Sequence, residues 1–370
     1  MNFISSNPTK ELEKLLKSFK EKKIFIITGK KSYFKSGANT ILKKNINKIN
    51  TFFYFKKNYL PTLEELKKII YEINKFKPDL IIAIGGGAVL DYAKSANVID
   101  SIGNIKERII NSSVKIKKKC KLLAIPTTAG SGAEVTSGAV IYVGKNKYSI
   151  EDKLLKPDYF FLIPQLVLNC NKIIKASSGF DAIAQAIESL ISKKSNLTSV
   201  KYSEKSLKLS LMYYLSYLKN PTKENAFKMS LAANLSGKAI NISKTTAPHA
   251  VSYPFSYYYG LPHGHAVSLT LTKFLKFNYE KKSFSEANFN LNSRFNKIFA
   301  ISKVKSINEL NIFLSQIRKD ANLTSNFDDL GIDINKHYSK IISGVSSQRL
   351  MNNPVKIEKS DLKEIILSET

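Results

Sequence analysis

The stretch DLIIAIGGGAVLDYAK, residues 79–94, decides the fold. Its first half is an unbroken apolar run that ends in Gly85, Gly86 and Gly87. Its second half continues into AVLDYAKSANVI with helical spacing. A short run that is apolar throughout predicts a strand covered on both faces, as in a parallel sheet. A glycine turn from such a strand into a helix leaves backbone N–H groups and the helix N-terminus open to a phosphate. The turn is neither a GxGxxG fingerprint nor a P-loop. A tight turn that needs glycine only for its backbone remains the alternative reading.

Working outward, KIFIITG (23–29), TFFYF (51–55) and CKLLAIPTT (120–128) read as further strands. Between them TLEELKKIIYEINKFKP (62–78) has helical periodicity and a proline stop. Strands alternating with helices predict a mostly parallel sheet with both faces covered. From about residue 170 the β-branched runs thin out, and GFDAIAQAIESLIS (179–192), SEKSLKLSLMYYLSYL (203–218) and ENAFKMSLAANLSGKAIN (224–241) read as helices. The expected architecture is an α/β Rossmann-like domain over residues 1–168 followed by an all-α domain over 169–370. No internal repeat or low-complexity linker interrupts this order.

A second glycine-rich loop, IPTTAGSGAEVT (125–136), follows another strand. Thr127, Thr128 and Ser131 offer hydroxyls there, and two such loops at strand ends favour a dinucleotide, because open α/β sheets bind ligands at that edge. In the second half, Asp181 and Gln185 are four residues apart and share a helix face. The chain has four histidines, and His249, His263 and His265 fall within one short segment. Asp181, His249 and His263, with Gln185 at a fourth position, make a candidate divalent-metal site. Helix caps and satisfied core hydrogen bonds are the competing structural reading of the same groups.

Composition narrows the class. Lys and Arg number 58 against 29 Asp and Glu, a formal charge of +29. The lysines are dispersed, arginine is rare and no nucleic-acid motif appears, so the charge is read as a field that draws small anions rather than as a nucleic-acid surface. No apolar run reaches the roughly 18–20 residues of a membrane span, and the first residues lack a signal-peptide core. Cys120 and Cys170 are too few for a disulfide framework. A cytoplasmic location is the expectation.

These motifs, IITG, IIAIGGGAVLDYAK, AIPTTAGSGAEVT, SSGFDAIAQAIES and APHAVSYPFSYYYGLPHGHAV, resemble in order and spacing the iron-containing (group III) alcohol dehydrogenases. The resemblance implies an NAD(P)-binding first domain, a metal-carrying helical second domain, substrate in the cleft between them and a homodimer or larger assembly. It places Gly85, Gly86, Gly87 and Asp91 on the pyrophosphate turn, Thr127, Thr128 and Ser131 on the second nucleotide loop, and Lys147 at a cofactor-contacting position. Asp181, His249 and His263 match three of four metal ligands, iron or zinc. The fourth, a histidine in the family, is Gln185 here, which weakens the expected site. Where NAD-preferring members carry an acidic residue after the first strand, this chain has Gly29 followed by Lys30 and Lys31, which favours NADPH, or use of both NADPH and NADH, over strict NADH use.

The segments SSGFDAIAQAIES and GKAINISKTTAPHAVSYPFSYYYGLPHGHAV are most similar to the subgroup that reduces phosphonoacetaldehyde. That resemblance implies hydride transfer to a small anionic aldehyde. A metal on Asp181, His249 and His263, or without one the histidines themselves, would polarise its carbonyl, and His265 is a proton relay or a structural residue. Lys238, Lys244, Thr245 and Thr246, close to the histidines in sequence, offer the phosphonate charge-assisted bonds, with ordinary surface lysines as the competing reading of Lys238 and Lys244. A general short-chain or lactaldehyde-type alcohol dehydrogenase is the alternative. A dehydroquinate-synthase-like lyase and a nucleotide-binding protein without catalysis stand further off.

Overall fold

The structure, a computed structural model, describes residues 2–3, 8–19, 22–46 and 50–367. The outermost ends of the two predicted domains, Met1 and Thr370, lie outside the described residues. The chain divides into two compact units, Met1–Thr128 with Gly132–Cys170 and Ala129–Ser131 with Asn171–Thr370. A single cut point in the sequence cannot express the second unit's claim on Ala129–Ser131. Its cause is local: a Cβ on Gly130 would lie 2.5 Å from the Ser178 carbonyl oxygen, so the loop tip rests directly on the helix Lys172–Ile191.

The first unit is built on a parallel sheet. Its strands are β1 (Asn2–Phe3), β2 (Lys23–Gly29), β3 (Asn50–Lys56), β4 (Leu80–Gly85), β5 (Lys121–Pro126) and β8 (Tyr159–Phe161), in the order β1-β8-β5-β4-β2-β3. Between β5 and β8 the chain makes an antiparallel hairpin of β6 (Gly138–Val143) and β7 (Asn146–Glu151). Every residue of β4 is buried, as its continuous apolar run requires of a central strand. Alternation assigns the side chains to two cores. Phe25, Ile27, Ile81 and Ala83 pack on one face with the helices Leu63–Phe76 and Gly87–Val98. Ile24, Ile26, Leu80, Ile82 and Ile84 pack on the other with residues from the helices Pro8–Lys17 and Ala38–Ile46. Burying each such side chain is worth about 1.5–3 kcal/mol relative to exposure.

The helix read at 62–78 forms over Leu63–Phe76. Thr62 caps its start by accepting from the Glu65 N–H, and Lys77 ends it in the left-handed conformation (φ 51°) just before Pro78.

The second unit is built of helices, with one isolated antiparallel bridge, Ser285 to Val355, among its described residues. The three helices read from periodicity form and start earlier than their apolar patterns, at Lys172–Ile191, Leu197–Lys219 and Lys223–Ser243. Each extension has a cap: Asn171, Asn196 in a reciprocal capping box with Ser199, and Thr222. Ala247–Tyr259, His263–Ser268 and Leu271–Glu280 follow. Among the described residues no helix is long and apolar enough to cross a membrane.

Candidate functional site

In the first unit the ends of β4 and β5 meet: the Thr127 N–H donates to the Gly85 carbonyl at 3.0 Å. The two glycines of the turn do different work. A Cβ on Gly85 would come within 2.5 Å of the Val89 side chain, so packing requires glycine there. A Cβ on Gly86 would meet nothing closer than Thr128 at 3.5 Å, and its φ of −76° suits any residue. Gly86 is the N-cap of the 12-residue helix Gly87–Val98, and no side chain caps that end. Uncapped N–H groups at a helix start, with no side chain on Gly86 or Gly87 to cover them, suit an anionic pyrophosphate, so the turn fits a dinucleotide.

Asp91, expected at the pyrophosphate, has an internal task instead. Its Oδ2 accepts from the Val140 N–H at 3.2 Å, and its Oδ1 lies 3.7 Å from the Lys94 ammonium. Lys94 is wholly buried and donates to the Ala133 carbonyl (3.0 Å) and the Thr136 hydroxyl (2.8 Å). The pair ties the turn's helix to the chain that leaves the second loop. Burial pushes the Asp91 carboxyl up, against the charges of Lys94 and Lys147. Lys147, on β7, is thus within electrostatic reach of Asp91. Gly29 ends β2 and is the register partner of Lys56 on β3. Lys56 donates to the Asn58 carbonyl at 2.6 Å, and burial pushes its pKa down.

In the second unit the helix Lys172–Ile191 presents Asp181, Gln185 and Glu188 on one face, at steps of four and three residues. His249 stands in the first turn of Ala247–Tyr259, and His263 opens His263–Ser268. Gly264 permits the approach: a Cβ there would lie 2.0 Å from the Ser177 carbonyl oxygen and 2.7 Å from the Asp181 Cβ. Donor atoms of Asp181, His249 and His263 consequently lie within 4.8 Å of one another.

His249 Nε2 is 3.2 Å from Asp181 Oδ1, and its Nδ1 pairs with Glu188 Oε2. His263 sits edge-on to His249 with ring centroids 5.2 Å apart, and Tyr253 stacks on it at 5.9 Å. Burial opposes ionisation of Asp181, but the hydrogen bond from His249 and the neighbouring imidazoles hold its pKa below the ordinary value. Burial likewise opposes charge on His249, but Glu188 and Asp181 outweigh it and raise that imidazole. A carboxylate and two imidazoles with convergent donors, one ring backed by a second carboxylate, fit a divalent ion.

The other expected site residues have partners of their own. The Gln185 nitrogen donates to Asp181 Oδ2 at 3.0 Å and its oxygen accepts from the Ser236 hydroxyl at 2.9 Å, so the amide oxygen faces Ser236 rather than completing the donor set. His265 is turned away from the cluster, because residues two apart on a helix point about 200° apart. Its Nε2–H donates to the Thr324 carbonyl at 2.7 Å and its backbone N–H to the Ser177 hydroxyl at 2.9 Å. Burial lowers its pKa.

Thr246 is buried with its hydroxyl and N–H both donated to Glu188 Oε1, each at 2.9 Å. The Thr245 carbonyl accepts from the Asn352 amide. Lys244 ends its helix at φ 61°, and the Lys238 ammonium lies 5.9 Å from the Tyr202 ring centroid.

Glu188, Ser236, Gly264 and Lys94 were not singled out by sequence reasoning. For Glu188 a signal exists, since it continues the Asp181 and Gln185 face by three residues. For Ser236 and Gly264 no local signal exists, because their partners are distant in sequence.

Comparison with known proteins places these features. A family model for iron-containing alcohol dehydrogenase matches residues 2–164, and one for the C-terminal part of the Fe-containing alcohol dehydrogenase family matches 175–370. A phosphonoacetaldehyde reductase of Streptomyces viridochromogenes is 28% identical over 235 residues, 59% of this chain and 58% of that protein. A 1-propanol dehydrogenase of Citrobacter freundii is 31% identical over 59% of this chain and 56% of its own length. The matched stretch thus spans less than two thirds of these relatives. The crystal structure of a sulfoacetaldehyde reductase from Bifidobacterium kashiwanohense, in complex with NAD+, has the same fold: TM-score 0.84, 24% identity, 99% of this chain and 95% of that one.

Proposed function

Because the chain belongs to the iron-containing alcohol dehydrogenase family, we propose that it reduces a small anionic aldehyde, phosphonoacetaldehyde foremost, to its alcohol with a nicotinamide cofactor. The observation that carries the reading is the convergence of Asp181, His249 and His263, in a protein whose glycine turn is shaped for a pyrophosphate. Reduced nicotinamide supplies the hydride, and a divalent ion, when bound, supplies the Lewis acid that polarises the carbonyl.

The chain's own residues do the rest. The uncapped N–H groups after Gly86 receive the pyrophosphate, and Asp91 with Lys94 holds the second loop's exit against that helix. Gly29 in place of a carboxylate, beside Lys30, Lys31 and the strand-paired Lys56, supports NADPH over NADH, although the sulfoacetaldehyde reductase was solved with NAD+. Asp181 Oδ1 is the charged donor and His249 Nε2, once it gives up its proton, the neutral one, with His263 beside them. Lys244, five residues before His249, is the proposed contact for the phosphonate, and the charge of +29 favours capture of both anions. The likeness to a 1-propanol dehydrogenase at similar identity supports reduction of a neutral short-chain aldehyde as the second reading.

The test is oxidation of NADPH and of NADH with phosphonoacetaldehyde, lactaldehyde and propionaldehyde, each with and without a chelator. A marked preference for the phosphonate, with NADPH, bears the proposal out. Equal or better rates with the neutral aldehydes sink the phosphonate and leave a general alcohol dehydrogenase.

A further inference from the structure

We propose that Glu188 is a positioning residue that fixes His249 twice over, one oxygen holding the start of its helix and the other holding its ring with the proton on Nδ1. The evidence lies in how the two oxygens are used. Oε1 accepts from the Thr246 N–H and hydroxyl, each at 2.9 Å, and lies 3.5 Å from the His249 N–H. Thr246 is the N-cap of Ala247–Tyr259, yet its side chain caps nothing. Pro248 brings no N–H to that turn. The acceptor that the helix start lacks locally is therefore supplied by a different helix, Lys172–Ile191, and it carries the negative charge that a helix N-terminus favours. Oε2 pairs with His249 Nδ1.

Glu188 is wholly buried, and a carboxylate is only an acceptor, so the Nδ1 facing it carries a proton. Nε2, on the far side of the ring, faces Asp181 Oδ1, a second acceptor, so with no ion bound it carries a proton too, and it is the nitrogen an ion would take. Ring direction, tautomer and helix position all depend on one side chain.

An isosteric amide separates the two tasks. In Glu188→Gln only one terminal atom accepts. The helix start presents two backbone N–H groups and a hydroxyl, and the backbone donors cannot reverse. The amide oxygen therefore goes to the helix start and the NH2 faces His249. Nδ1 must then accept, and the ring keeps only the Nε2 proton, which stays with Asp181. Freeing Nε2 for an ion would put a proton back on Nδ1, where an amide NH2 has no lone pair to receive it. Thr246→Val removes one donor from the helix-start side and leaves the ring pair intact, so it keeps the Nδ1 proton.

The ring part of this inference stands without the metal reading, and only the affinity measurement depends on it. Nitrogen-15 NMR of the histidine side chains in the full chain, with His249 assigned by its own substitution, reads the proton directly. Zn2+ titration of the metal-stripped protein against a chromophoric chelator reads the affinity. In the unsubstituted protein Nδ1 of His249 stays protonated with and without Zn2+, and Nε2 is the nitrogen that shifts. E188Q loses the Nδ1 proton and binds Zn2+ about 10- to 100-fold more weakly, the usual effect of removing such an outer partner. T246V keeps the Nδ1 proton and loses only a few-fold of affinity.

E188Q with an unchanged Nδ1 proton overturns the proposal. So does an Nδ1 that shifts on Zn2+ addition to the unsubstituted protein, a result that needs no variant to fold. If the unsubstituted protein takes no Zn2+ but E188Q still loses the Nδ1 proton, the metal reading fails and the role of Glu188 stands.

Discussion

The glycine turn after β4 and the polar cluster of the helical unit solve opposite problems with opposite means. The turn offers backbone N–H groups, and its side chains matter by being absent: Gly85 because Val89 is in the way, and Gly86, where a Cβ would only touch Thr128, because it leaves the helix start uncovered. The cluster offers side chains, and each needs a partner to be tolerable when buried. Asp181 has His249 and Gln185, His249 has Glu188, Glu188 has Thr246, and Gln185 has Ser236. A backbone site survives changes that leave its space open. A buried polar site depends on every link, because a lost partner leaves a group that water cannot reach.

Three substitutions test that contrast, and Gly264→Ala carries the largest expected effect. Its Cβ would enter at 2.0 Å from the Ser177 carbonyl and 2.7 Å from the Asp181 Cβ, where backbone cannot yield cheaply. Urea unfolding is expected to show about 1–3 kcal/mol lost, the usual cost of overpacking, and Zn2+ titration a site no longer formed. A variant as stable as its parent would mean that the approach of His263 to Asp181 is not set by this contact.

Next comes Gln185→His. An imidazole there gives up the amide's contact with Ser236 but adds a fourth strong donor, and zinc favours four. Zn2+ affinity is expected to rise on the order of tenfold, or about 1.4 kcal/mol. Unchanged affinity would mean that the two ends of Gln185 were already replaced by something equivalent.

The smallest effect on stability is expected at Gly86→Ala, which separates the two glycines of the turn. With φ at −76° and Thr128 no closer than 3.5 Å, unfolding stability should stay within about 0.5 kcal/mol of the parent. NADPH affinity, followed by nicotinamide fluorescence, should nevertheless fall by roughly tenfold, about 1.4 kcal/mol. Loss of stability without loss of affinity would make the turn a packing device.

The two regions were also unequally legible. The strand and helix around residues 79–94 could be read directly, since burial on both faces and a helix start are both local patterns. Helix starts were read late at 172, 197 and 223, because caps such as Asn171 and Asn196 precede the apolar pattern that marks a helix. Asp91 is placed at the pyrophosphate by the family resemblance alone. Lys94, three residues on in the same helix, is a local partner, whereas Val140 is visible only once β6 lies alongside. His265 was grouped with His263 by proximity in sequence, and the helical turn between them separates their directions.

By itself the sequence determined the parallel α/β unit, the helical unit, the glycine turn and the three donors Asp181, His249 and His263, because each rests on periodicity or on residue types that suit few tasks. Only the tertiary structure decided which groups serve those donors. It gave Glu188 to His249, turned the Gln185 amide between Asp181 and Ser236, committed Thr246 to Glu188 and sent His265 to Thr324. The physical reason is reach. A hydrogen bond extends about 3 Å in space, and the partners that satisfy a buried charge come from helices 51 to 68 residues apart in the chain, a distance over which no local pattern carries.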